Sequence, residues 1–227
     1  MVEYYHIARG KFRRDRLFEP VLSDPSLSMQ EKEAVIVQFS SLVSEPEDVT
    51  TTLREKFLNS GTRPNEVAKP GRYHKQRCCF YISSDIAGTI SEAAYYMFFY
   101  NGRHVWSAER DYIIVRLEID AEAVDLCEHY SKSDLICTHH PLSGVVETAA
   151  ETNAWPLVKA PSARHEKAHT FALYNWTLIQ SIAICDRVQM SYDWMRPTIR
   201  GIAESGTAFE ATVVSRIFDL AADSGYQ

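Results

Sequence analysis

The chain has 227 residues, 45% of them hydrophobic, enough apolar material for one sizeable core, which excludes a disordered or low-complexity protein. Its formal net charge of -6 excludes general attraction to a phosphate backbone, and no stretch reaches the roughly 18 apolar residues of a membrane span. The opening MVEYYHIARGKFRRDR lacks a signal-peptide apolar run, and five cysteines make an odd number, so reduced thiols and a cytoplasmic address are expected.

In chain order, residues 4–8 read as an opening strand. Ala34, Val35, Phe39 and Leu42 recur at helical spacing across 31–43. Ser44 with Glu47 resembles a capping box ahead of Val49, Leu53, Phe57 and Leu58, and Gly61 is placed to end that second helix. These two helices are expected to form a helical insertion at about 20–69 within a single domain spanning 1–227. Turn formers crowd 59–71, and 72–83 centres on the apolar run CCFYI, short enough for a buried strand. The chain turns at 85–88. Thr89 followed by Glu92 then gives a capping-box pattern, opening an aromatic-rich helix to Tyr100 that Asn101-Gly102 terminates.

Residues 112–119 read as a strand, 144–155 as a helix, and 157–160, 169–174 and 181–190 as three more strands. The tail, 208–222, places Phe209, Val213, Ile217 and Leu220 on one helical face. This order is mixed and not regularly β-α-β, so the expected class is α+β, a compact mixed β-sheet core with surrounding helices.

Several chemistries are missing. No G-x-G-x-x-G follows a strand and no G-x-x-x-x-G-K-[ST] occurs, so neither a Rossmann fingerprint nor a Walker A loop is available. Cys127, His129, Cys137, His139 and His140 offer zinc-type donors, but their spacing matches no closed Cys/His module, and no metal is expected. The basic run Arg9, Lys11, Arg13, Arg14 and Arg16 reads as a solvated face, from which only Arg9 is kept as an anion-binding candidate.

The stretch GRYHKQRCCFYISSDIAGTISEAAYY, residues 71–96, is similar to the G-R-[WFY]-[NH]…Y-x-[SA]…[AL]-x-E core of RES-domain proteins. AAETNAWPLVKAPSARHEKAHTFALYN, residues 149–175, resembles that family's second signature, a small helix leading to a P-S turn and an apolar strand. The resemblance covers about 70–176, and Lys75-Gln76-Arg77 stands where family members carry a Gly-containing turn. It implies an ADP-ribosyltransferase-like fold and a bacterial toxin that splits NAD+, its substrate, at the nicotinamide–ribose bond. It also implies a DNA-binding antitoxin covering the active site, a homodimer within the toxin–antitoxin complex, and no direct contact with nucleic acid or membrane.

The family's Arg, Glu and Ser fall on Arg72, Glu92 and Ser162, and its active-site tyrosine on Tyr81. Ser143 occupies the place where some members present a serine instead, and Arg9 is nearest to the family's first-strand arginine. These residue types suit the reaction. Glycosidic cleavage of NAD+ develops an oxocarbenium-like sugar, which the carboxylate of Glu92 could stabilise. The guanidinium of Arg72 binds a diphosphate bidentately, while Tyr81 and a serine can orient nicotinamide, ribose or phosphate. Each also has an ordinary reading: Glu92 as the third residue of the Thr89 capping box, Arg72 as a surface residue, Tyr81 as a core aromatic, Ser162 as a turn residue. The acceptor of ADP-ribose stays open between water, phosphate and a protein side chain, the last making the chain a mono-ADP-ribosyltransferase with a cellular protein target. A non-catalytic binding module on the same fold is the reading from outside enzymology.

Overall fold

A computed structural model describes residues 1–9, 24–32, 34, 49–60, 71–97, 107–137, 139–193, 198–214 and 217–220. The strands are β1 (Val2–Arg9), β2 (Phe80–Ser83), β3 (Ser107–Ile119), β4 (Val124–Asp125), β5 (Leu157–Pro161), β6 (His169–Leu173), β7 (Ile179–Asp193), β8 (Thr198–Ala203), β9 (Ala208–Val214) and β10 (Ile217–Leu220). The helices are α1 (Val49–Leu58), α2 (Ile86–Tyr95), α3 (Lys132–Ile136) and α4 (Ser143–Thr152). All strands join one ten-stranded sheet in the order β10-β9-β8-β7-β3-β1-β2-β6-β5-β4, antiparallel throughout except for the parallel pair β4/β5. The protein is therefore α+β, a large mixed sheet with few helices among the described residues. None of those helices is long and apolar enough to cross a membrane.

Period-two alternation explains how the sheet is covered. In β1, Tyr5 and Ile7 point to one face, where α2 and the turn that follows it bury Ile90, Ala93, Ala94 and Met97 against Tyr112, Ile114, Val188, Met190, Tyr192 and Ile199. Tyr4 and Ala8 point to the other face, where Leu53 and Phe57 of α1 pack with Phe80, Ile82, Leu117 and Phe171. On the α2 side but over β2, β6 and β5, α3 and α4 bury Leu135, Val146 and Ala150 around Tyr73, Val158, Ala172 and Tyr174. The join between the two halves is thin: β1 meets β2 at a single register pair, Tyr5 with Ser83, while β1 pairs with β3 along its whole length.

Two expectations are corrected. The tail is not a helix: β9 and β10 form an antiparallel pair, with Phe218 opposite Val213. A helical spacing of apolar residues was outweighed by the β-branched run Thr212-Val213-Val214 and by pairing of β9 with β8, where the Phe209 ring fills the space over Gly201. The Thr89/Glu92 capping box does not form either. Helix α2 starts one turn earlier, on Asp85, whose carboxylate accepts the Gly88 N–H at 2.6 Å, and the Thr89 hydroxyl instead donates to the Tyr5 carbonyl at 3.2 Å. Residues 29–32 and 34 are helical, but most of the 31–43 helix, Ser44, Glu47, Gly61 and the Tyr100 to Gly102 terminus lie outside the described residues.

Candidate functional site

Residues 71–77 form a loop whose backbone is held at both ends. The Gly71 N–H donates to the His74 carbonyl, and a side chain at 71 would collide with the His74 ring and with the Tyr81 hydroxyl, at 2.6 Å, which accounts for the glycine. From β2 below, that hydroxyl accepts the Tyr73 N–H at 2.8 Å and lies 2.9 Å from His74 Nδ1, and Tyr174 donates its hydroxyl to the Tyr73 carbonyl. At the other end Glu147 of α4, only 8% exposed, turns its carboxylate into a nest of backbone donors: the N–H groups of Lys75, Gln76 and Arg77 all point at it. Arg72 is thereby fixed, and its Nη1 donates to the carbonyls of Leu135 at 3.2 Å and Cys137 at 2.8 Å. One nitrogen is spent on the α3 terminus, and the fixed charge stays in the cluster.

Glu92 enters from α2. With Asp85 serving as the cap, its carboxylate is free of helix-capping duty. It lies 3.8 Å from Nε of Arg164, a residue of the turn between β5 and β6 whose side chain is 5% exposed, whereas that of Glu92 is 41% exposed. Burial raises the Glu92 pKa, and the charges of Arg164 and then Arg72 oppose that rise. The carboxylate is thus partly desolvated by its neighbours while one side stays open to solvent.

Ser162 shapes the Arg164 turn. Its hydroxyl accepts the N–H groups of Arg164 and His165, each at 3.1 Å, an ST-type turn that uses the oxygen as an acceptor. Ser143 opens α4 and donates its hydroxyl to the His140 carbonyl at 2.8 Å. His140 has φ of 51°, left-handed for a non-glycine residue, and burial together with the charges of Arg72 and Arg164 pushes its pKa down to about 4, so its imidazole is neutral at physiological pH. An open groove of about 900 Å³ runs from His140 along α4, lined by Lys75, Tyr130, Ser143 and Asn153 among others.

Glu92, Arg72 and Tyr81 are thus gathered at one place, with Ser162 and Ser143 on its border as turn and helix-start residues. Arg9 ends β1 opposite Tyr112 in the β1/β3 ladder, and its side chain lies outside what the structure describes. Sequence reasoning missed Arg164, Glu147 and His140 as contributors. Arg164 stands two residues after the chosen Ser162, but nothing local marks a guanidinium that meets a carboxylate 72 positions earlier in the chain. No three His, Cys, Asp or Glu side chains converge as a metal cage would require among the described residues; His129 instead stacks on Trp155 at 5.2 Å.

Arg72 and Arg164 flank Glu92 beside the neutral imidazole of His140, while the Glu147 carboxylate is taken up by backbone donors. Arg72 offers a guanidinium to an anionic group while Glu92, partly open to solvent, presents one carboxylate to a developing cation. No family model matches the chain, and no curated protein sequence matches it.

Proposed function

We propose that the protein cleaves NAD+ at the nicotinamide–ribose bond on an ADP-ribosyltransferase-like core, as a RES-type toxin. The observation that carries this reading is Glu92: a carboxylate released from capping, raised in pKa by burial, open to solvent and flanked by Arg72 and Arg164. In the reaction, departure of neutral nicotinamide leaves a ribosyl cation, which the Glu92 carboxylate stabilises while Arg72 holds the diphosphate. Tyr81 acts from beneath by fixing the loop that carries Arg72. A cognate DNA-binding antitoxin over this cluster would silence the toxin, consistent with a chain whose own charge is -6.

The test is NAD+ consumption by purified protein and by Glu92→Gln. Losing one transition-state charge contact costs on the order of 3 kcal/mol, hence about a hundredfold or more in rate. A folded Glu92→Gln protein with full turnover would overturn the assignment. Product analysis with water, phosphate and cell lysate as acceptors separates glycohydrolase, phosphorylase and ADP-ribosyltransferase outcomes.

A further inference from the structure

We propose that Arg164 is the positioning residue of this site: presented by the Ser162 turn and braced on the Tyr95 ring, it fixes the Glu92 carboxylate in place as an anion. This deepens the reading above, because it concerns the same carboxylate.

Three observations support it. The Arg164 guanidinium carbon lies 3.3 Å from the centroid of the Tyr95 ring, so the planar group is stacked on α2 one turn beyond Glu92. Its backbone N–H is tied to the Ser162 hydroxyl, which sets where the side chain leaves the turn. Its Nε is buried without a hydrogen-bond partner among the described residues, while its Nη1 reaches only the Ala163 carbonyl at 3.4 Å. A guanidinium this enclosed is costly unless a charge compensates it, and Glu92 at 3.8 Å is that charge. At 5% exposure Arg164 has little surface left for a ligand, so it acts through Glu92. Ser162 acts one step further back, by holding Arg164.

The groups facing Glu92 come from three elements. Arg164 approaches from the β5–β6 turn, and Arg72 and Tyr73 from the 71–77 loop; along α2 itself lie Tyr95 and Tyr96, which influence Arg164. Arg164 is the larger of the two cationic influences on Glu92.

The experiment is a carbon-13 carboxyl NMR titration of glutamate-labelled protein, with Glu92→Gln identifying the resonance. Arg164→Gln should raise the Glu92 midpoint by about one unit or more, because burial then acts with only Arg72 in opposition. Arg164→Met, whose unbranched stem can fill the same slot over Tyr95, should do the same and serves if the Gln variant does not fold. Arg164→Lys restores a cation without the stacking plane and should recover part of the shift. An unchanged Glu92 midpoint in either folded neutral variant overturns the proposal. The titration needs no substrate. A shifted midpoint in a protein inert toward NAD+ upholds the pairing and sinks the proposed function, whereas an unshifted one in an NAD+-consuming enzyme sinks the pairing alone.

Discussion

Replacing Glu147 by alanine should loosen the loop that carries Arg72 without disturbing the apolar packing of α4. The carboxylate accepts from three consecutive backbone N–H groups, those of Lys75, Gln76 and Arg77, and is itself 8% exposed. A hydrogen bond to a charged group contributes roughly 1.5–3 kcal/mol. Three sharing one acceptor do not add, and water can re-solvate the exposed Lys75 and Gln76 positions, so the expected loss is about 3 kcal/mol. For a chain of this size that lowers Tm by about 6–12 °C. Glu147→Gln keeps one acceptor oxygen but turns an amide NH2 toward the donors, and should cost about half as much. Thermal unfolding of both variants beside NAD+ turnover is the assay. Turnover should fall below the native rate even at temperatures where Glu147→Ala is fully folded, since Arg72 rides on the loop. A Glu147→Ala protein melting within about 2 °C of the native one would refute the reasoning.

Because burial raises the Glu92 pKa above the ordinary 4.5, the unfolded chain releases that proton first as pH rises, and stability is lost between the unfolded value and the raised folded one. The Tm of Glu92→Gln relative to the native protein should therefore climb as pH rises from the ordinary 4.5 through the raised folded value, and a difference that stays flat with pH would refute the burial argument. His140 works in the opposite window: with its pKa pushed down to about 4 from 6.5, the unfolded chain takes up the proton first on acidification, so stability falls between those values. His140→Asn, tolerant of the left-handed backbone, should flatten that part of the pH–stability curve as followed by urea unfolding. Asp85→Ala should cost about 1 kcal/mol, seen as a Tm loss of about 2–4 °C, whereas Asp85→Asn should melt near the native temperature.

Most strands were legible in advance as short apolar runs bounded by turn residues. Residues 4–8, 112–119, 157–160, 169–174 and 181–190 all fall within or beside observed strands, and the helix expected at 144–155 is α4. Apolar spacing of four, four and three misled at Phe209, Val213, Ile217 and Leu220, because the four come from two paired strands, β9 and β10, whose combined spacing also satisfies a helical template. The capping box misled for a related reason: Asp85 and Thr89 are both competent caps, and choosing between them depends on Tyr5, whose carbonyl takes the Thr89 hydroxyl from across the sheet. At the site, Arg72, Tyr81 and Glu92 were readable because one short stretch carries all three. Arg164 and Glu147 were not, since each matters through a partner about 70 residues away.

The single register pair between β1 and β2 bears on how the charges meet. Glu92 belongs to a helix bedded on the half-sheet of β1, β3, β7 and β8, whereas Arg72 and Arg164 belong to segments flanking β2, β5 and β6. Acid and base thus sit on opposite banks of a seam. Besides the one pair at Tyr5 and Ser83, the His6 Nδ1 contact with the Tyr81 carbonyl at 2.8 Å crosses it, and the Arg164–Glu92 ion pair itself spans it. Side-chain contacts, and not a continuous ladder, thus hold the two banks together beneath the charges, so His6 bears on how Glu92 meets the arginines from outside the cluster.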